Sequence, residues 1–164
     1  MGYVGSYLWR LRERVGSELL LMPGAQVVVV GEGERVLFQR RRDSGLWEVP
    51  AGAAEPGLSF RGTAVREVFE EAGLRVREEE LVPFGSLSEP GVHEITYPNG
   101  DRVHCFALLF EARVWEGEVR VGVDEVTEAG FFAVDDPPGE LQGQTEVVLG
   151  LYREYLRTGV FQGR

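Results

Sequence analysis

Residues 50–74 read Pro50-Ala51-Gly52-Ala53-Ala54-Glu55-Pro56-Gly57-Leu58-Ser59-Phe60-Arg61-Gly62-Thr63-Ala64-Val65-Arg66-Glu67-Val68-Phe69-Glu70-Glu71-Ala72-Gly73-Leu74. The first part, with its glycines and prolines, is a loop. Ser59 can cap a helix and Gly73 can stop one, so the spacing predicts a helix over 60–72. On it Glu67, Glu70 and Glu71 project from one face. Three like charges so close repel one another, and nothing in helix physics asks for that arrangement. A hard divalent cation turns the repulsion into binding, because Mg²⁺ and Mn²⁺ prefer oxygen ligands. Arg66 sits beside them, placed to orient one carboxylate through a paired hydrogen bond. The competing reading is a solvated acidic face, which is the reading given to the run Glu78-Glu79-Glu80.

Upstream, apolar positions at Val4, Tyr7, Leu8, Leu11 and Val15 predict an amphipathic helix over 3–15, within an N-terminal lead-in (1–22) that Pro23-Gly24 ends. Stretches 25–30 and 35–40 flank Gly31-Glu32-Gly33-Glu34 and read as a hairpin. Segment 46–50 is short and extended, stopped by Pro50. Downstream, 81–88, 94–97, 102–115 and 130–134 are strand candidates, with a turn at Pro98-Asn99-Gly100-Asp101 and a break at Pro137-Pro138. Val148, Leu149, Tyr152, Tyr155 and Leu156 mark a C-terminal helix over 145–158. No repeat or linker interrupts the order. The expectation is a single domain over 1–164, of α/β (α+β) class, with a mixed β-sheet between helices.

The chain has 164 residues, 43% of them hydrophobic and 27% charged, which suits a globular domain. Its longest apolar run is too short to span a bilayer, and no secretory signal is visible. Gly2 followed by Ser6 matches a myristoylation pattern only superficially, because no polybasic patch accompanies it. Cys105 is the single cysteine, which excludes an internal disulfide and, with only His93 and His104 beside it, a zinc cluster. These points favour the cytoplasm and no membrane partner. The net charge of −10 disfavours coating a nucleic acid. An acidic protein still binds phosphates when divalent metals bridge its carboxylates to the ligand. The oligomeric state is open, and a homodimer is compatible with the sequence.

The stretch 52–74 resembles the Nudix signature: a Gly, five residues, a Glu, seven residues, then Arg-Glu-apolar-x-Glu-Glu-x-Gly-apolar. Gly52 opens it, and Arg66 through Leu74 match its second half at the right spacing. The flanks Gln39-Arg40-Arg41 and Gly45-Leu46-Trp47-Glu48-Val49-Pro50 agree, and the resemblance covers roughly 23–138. It implies a Nudix-type (MutT-like) α/β/α sandwich. It also implies a hydrolase that cleaves the phosphoanhydride bond of a nucleoside diphosphate linked to another group, such as a nucleoside triphosphate or an ADP-ribose-like compound. Mg²⁺ or Mn²⁺ would be held by Glu67, Glu70, Glu71 and the Ala51 carbonyl.

There are two departures from the pattern. Ala51 replaces the first glycine of a usual pair, and Leu58 replaces the signature's first Glu. Loss of that Glu should weaken catalysis without abolishing it, and Glu55, three residues upstream, is a candidate to substitute in part. By resemblance a further carboxylate comes from a loop before a late strand. Glu125, in Val123-Asp124-Glu125-Val126, stands there as a metal ligand, a general base or an ordinary surface acid. Arg40 and Arg41 hold a substrate phosphate or are salt-bridged on a strand edge. Ser88-Glu89-Pro90-Gly91 looks like a stretch of ADP-ribose pyrophosphatases, or is simply a turn. Phe131, Trp115, Tyr97 and His104 are candidates for stacking on a base, or core residues. The rival function is a catalytically weakened nucleotide-binding sensor, in which Leu58 marks decayed chemistry.

Overall fold

In the computed structural model the described residues are 4–97, 99–122 and 124–164. Gly2, Tyr3 at the head of the first predicted helix, Pro98 of the turn and Val123 of the acidic loop lie outside them. Helix α1 spans Tyr7–Val15, α2 Phe60–Ala72 and α3 Gly143–Thr158. The strands are β1 (Leu20–Val29), β2 (Val36–Arg41), β3 (Trp47–Glu48), β4 (Ala51–Ala53), β5 (Leu81–Leu87), β6 (Glu94–Thr96), β7 (Arg102–Ala112), β8 (Val126–Phe132) and β9 (Gln162–Gly163).

The larger sheet has the order β4-β1-β7-β5-β9, with β6 on β7, and a smaller sheet has the order β3-β2-β8. β1 runs parallel to β7 from Leu20↔Val103 to Val29↔Ala112, whereas β4 and β5 pair antiparallel to their neighbours. The mixed sheet is therefore as expected. Both of its faces are covered, which is why 25–30 is buried throughout instead of alternating. One face carries Ala25, Val27 and Val29 against Ala64, Val68 and Ala72 of α2. Residues of the other, Val28 and Leu109, share a core with Val148, Leu149 and Tyr152 of α3. On that second face, but at the far end of the strands, Leu8 of α1 packs on Val103 and Cys105.

The 25–30/35–40 hairpin does not form. β1 and β2 belong to different sheets, and the strand pairing between their segments is limited to the bridge Val30↔Val36. A short 3-10 turn at Glu32–Glu34, with Gly33 at φ 65° and Glu34 at φ 58°, redirects the chain between sheets. β1 also starts before Pro23-Gly24, which does not end the lead-in. The Pro23 carbonyl accepts from Ala54 N–H on the β4 side (2.9 Å), so the missing proline N–H also faces that side and costs β1 no bond to β7.

Candidate active site

Two close contacts tie the glutamate face of α2 to the loop that precedes it. Ser59 Oγ accepts from Gly62 N–H (2.9 Å) to start the helix, and Gly73, left-handed at φ 73°, stops it. Between these caps Glu67 and Glu71 are turned toward β4 and buried. Glu71 Oε2 accepts the Ala51 N–H at 3.0 Å. A Cβ built on Gly52 would lie 2.2 Å from the Glu67 carboxyl carbon, so only glycine lets that carboxylate approach. Arg66 Nη2 donates to Glu67 and to the Ala53 carbonyl (2.9 Å), and Arg66 Nε lies 3.9 Å from Glu70 Oε2. Arg66 thus clamps the loop to the helix, and the carboxylate it orients is Glu67.

The acidic loop is brought to the same place by backbone. Gly122 N–H donates to the Glu71 carbonyl (2.9 Å), and a Cβ on Gly122 would meet the Glu70 carbonyl oxygen at 2.2 Å. The Glu125 carbonyl accepts from Arg42 N–H at the end of β2 (2.8 Å). Together these groups border a cleft of about 630 Å³, whose wall includes Arg41, Glu48, Gly52, Arg66, Glu67 and Glu125.

The electrostatics reflect crowding. Burial raises the Glu67 carboxyl above the usual range, offset in part by Arg66 and reinforced by Glu70 and Glu125. Burial also raises Glu125, whereas Arg41 lowers it and Glu70 raises it. Glu71 is pushed well up by burial, then by Glu48 and Glu67. Among the described residues no three carboxylates already stand as a ligand cage. Arg66 holds Glu67, and Glu71 is turned to Ala51. The donor set nevertheless fits a hard divalent cation: carboxylates and carbonyls facing one cleft, with negative charge raised in cost by burial and by like neighbours.

This crowding has a measurable sign. A carboxyl that holds its proton more tightly folded than unfolded stabilises the protein as pH falls. Glu48, Glu67, Glu71 and Glu125 are all raised from 4.5, so chelated protein gains this contribution on acidification from above the raised values toward 4.5. His93, lowered by burial from 6.5, opposes it. The expected result is that Glu71→Gln flattens the pH dependence of Tm in chelator. An unchanged profile would remove Glu71 from the crowded set.

The family model described as NUDIX domain matches residues 20–150. The chain belongs to the NUDIX domain family. Among its relatives, the NAD-capped RNA hydrolase NudC of Actinobacillus succinogenes is 33% identical over 132 residues, covering 76% of this chain but 45% of that protein. The chain thus spans less than half the length of that curated relative. Among solved structures, a MutT NUDIX hydrolase from Burkholderia pseudomallei superposes with a TM-score of 0.66 at 25% identity, covering 80% of this chain and 97% of that one. An ADP-ribose pyrophosphatase from Streptococcus suis shares the fold, with a TM-score of 0.63 at 24% identity over 87% of this chain and 98% of that one.

Several Nudix-site expectations are placed differently by the structure. Leu58 is 41% exposed and is not among the residues that line the cleft, so it is not a buried staple. Leu58→Glu is therefore expected to leave kcat within about twofold and stability within about 0.5 kcal/mol. A clear gain in turnover would show that position 58 reaches the site. Glu55 lines the cleft and bears electrostatically on Arg66, while its two oxygens accept Tyr7 N–H at the start of α1 (2.9 and 3.0 Å). Arg40 is turned away, paired to Glu128 (2.7 Å) and to the Gly45 carbonyl (2.9 Å). Arg41 does face the cleft, between Glu48 (3.1 Å) and Asp43 (2.7 Å), and Arg42 lines it as well. The register shift between Arg40 and Arg41 upsets the alternation that sequence reading assumes.

Of the four candidate stacking residues, Tyr97 lines the cleft. Phe131 and Trp115 stack on each other (5.4 Å) in the α2-side core, and His104 Nε2 meets the Ser88 carbonyl (2.7 Å). Sequence reading missed Glu48 and Gln26 as site residues. Each was visible as a polar residue within an apolar strand: Glu48 between Trp47 and Val49, Gln26 between Ala25 and Val27.

Proposed function

We propose that this Nudix domain hydrolyses the phosphoanhydride bond of a small nucleoside diphosphate derivative, with Mg²⁺ or Mn²⁺ bound at the α2 carboxylates. The observation that carries the reading is Gly52, whose missing side chain admits the buried Glu67 carboxylate to the loop. In this reading Glu67, Glu70 and the Ala51 carbonyl hold the cation, and Glu71 fixes Ala51 through its N–H. When bound, the cation supplies charge compensation for the diphosphate oxygens and a lowered pKa for water. Glu125, raised by burial, is suited to take the proton as the water oxygen bonds to phosphorus and the bridging P–O bond breaks. Arg41 and Arg42 supply positive charge on the cleft wall for the phosphates.

The weakened-sensor reading rests on Leu58. The retained Glu67, Glu70 and Glu71 argue against it, because a pure binder has little reason to keep a metal-crowding triad. No helix among the described residues is long and apolar enough to cross a membrane. The net charge of −10 favours a free nucleotide over RNA as substrate, and a buried, unpaired Cys105 suits the cytoplasm. The test is a panel of nucleoside triphosphates, ADP-ribose, dinucleotides and NAD-capped RNA with Mg²⁺ or Mn²⁺, scored by released products. Cleavage between phosphates of a small nucleotide is expected. Metal-dependent binding with no turnover of any compound would favour the sensor, and cleavage of capped RNA alone would overturn the small-substrate assignment.

A further inference from the structure

We propose that the Gln26 carboxamide, with its orientation set by His93, reads the hydrogen-bonding edge of the substrate's nucleobase in the cleft that Glu67 also lines. The proposal rests on the nucleotide reading above and names the group that would select among nucleotides.

Gln26 is 5% exposed, yet it lines the cleft. It lies on β1 directly opposite Ala51 of β4, and its alternation with Ala25 and Val27 puts its side chain on the sheet face away from α2, where the cleft continues past the β4 edge. Its amide nitrogen lies 3.1 Å from His93 Nε2, and His93 Nδ1 lies 3.0 Å from the Leu87 carbonyl. A carbonyl only accepts, so Nδ1 carries the proton and Nε2 presents a lone pair. That lone pair requires an N–H from Gln26, which fixes the amide one way round. Burial also keeps His93 neutral by lowering its pKa, which preserves this tautomer.

One of the two amide N–H groups is thereby spent on His93. The other, with Oε1, makes a donor beside an acceptor on one amide edge of a residue that lines the cleft. A lone glutamine in a strand of apolar residues is costly to bury unless that edge is satisfied. The surroundings say by what. Met22, Ile95, Tyr97 and Cys105 form an apolar wall further along the same cleft, and Gly24 between Met22 and Gln26 adds no side chain. A flat ring with in-plane polar atoms suits a wall of this kind with one amide edge, as Gln pairs with adenine through two bonds. A sugar or another phosphate would leave the apolar wall unused. Adenine and guanine both present a donor beside an acceptor, and the experiment separates them.

The test is equilibrium binding by calorimetry of ADP, GDP and purine riboside 5′-diphosphate, which lacks the group on the six-position. Wild-type protein is expected to bind ADP or GDP about tenfold to a hundredfold more tightly than purine riboside 5′-diphosphate. Gln26→Leu, similar in volume and suited to a strand, should bind all three alike at the weakest level. His93→Phe, which frees the amide to rotate, should narrow the ratio while leaving purine riboside 5′-diphosphate unchanged. If wild type shows no preference, or Gln26→Leu keeps it, the assignment is wrong, whether or not a variant loses stability. Base-selective binding without turnover would instead sink the hydrolase reading alone, and turnover without base selectivity would sink this inference alone.

Discussion

Gly52→Ala is expected to lower kcat about a hundredfold while leaving the domain folded. The added methyl would lie 2.2 Å from the carboxyl carbon of Glu67 and 2.4 and 2.6 Å from its oxygens. These atoms end a side chain, so they give way before the backbone does. Glu67 must swing off, away from the loop and from the Arg66 clamp. A misplacement of about 1 Å at a reacting centre costs on the order of 10²-fold. Gly24→Ala is the contrasting control, because its methyl would meet the Gly52 carbonyl oxygen, a backbone atom, at 2.5 Å. That change should strike the β1–β4 pairing and lower Tm. Both variants are read by kcat and Tm together. A Gly52→Ala protein that turns over normally would show that the Glu67 position does not matter to the chemistry.

Glu70→Gln is expected to cost far more activity than Glu125→Gln. Glu70 is fixed on a capped helix, with its side chain 31% exposed and within reach of Arg66. Glu125 lies in a turn and is positioned through its own carbonyl. Each amide keeps the shape and removes the charge, so the pair tests electrostatics and not packing. With Glu70 as the proposed ligand of a cation that contributes several kcal/mol to the transition state, a loss of about 10²- to 10³-fold is expected for Glu70→Gln. About tenfold is expected for Glu125→Gln, in line with the loss of a supporting group. Equal and small losses in kcat would return the helix to the status of a solvated acidic face.

Site geometry was legible in the sequence wherever local rules carried it. Ser59, Gly73 and the helical spacing of Glu67, Glu70 and Glu71 are all short-range signals, and α2 follows them. The β1–β2 hairpin failed because its signal is equally local, whereas the choice of partner is not: β1 takes β7, about 80 residues away in sequence, as the register shows. β9, two residues long, has no periodicity to read. Arg40 and Arg41 look equivalent as neighbours, and only the register shift opposite β8 separates an outward ion pair from a cleft residue. Gln26 and Glu48 were readable as polar intrusions into apolar strands. What they face depends on the sheet edge and on a histidine 67 residues away, which no window on the sequence contains.

The most direct test of the central claim is turnover of an accepted nucleoside diphosphate derivative by thoroughly chelated protein, followed by back-titration with Mg²⁺ and then Mn²⁺. The account predicts no cleavage in chelator and saturable recovery with either ion. It also predicts a rate that rises toward alkaline pH as cation-bound water ionises more readily. Cleavage by the chelated protein at its original rate would contradict it.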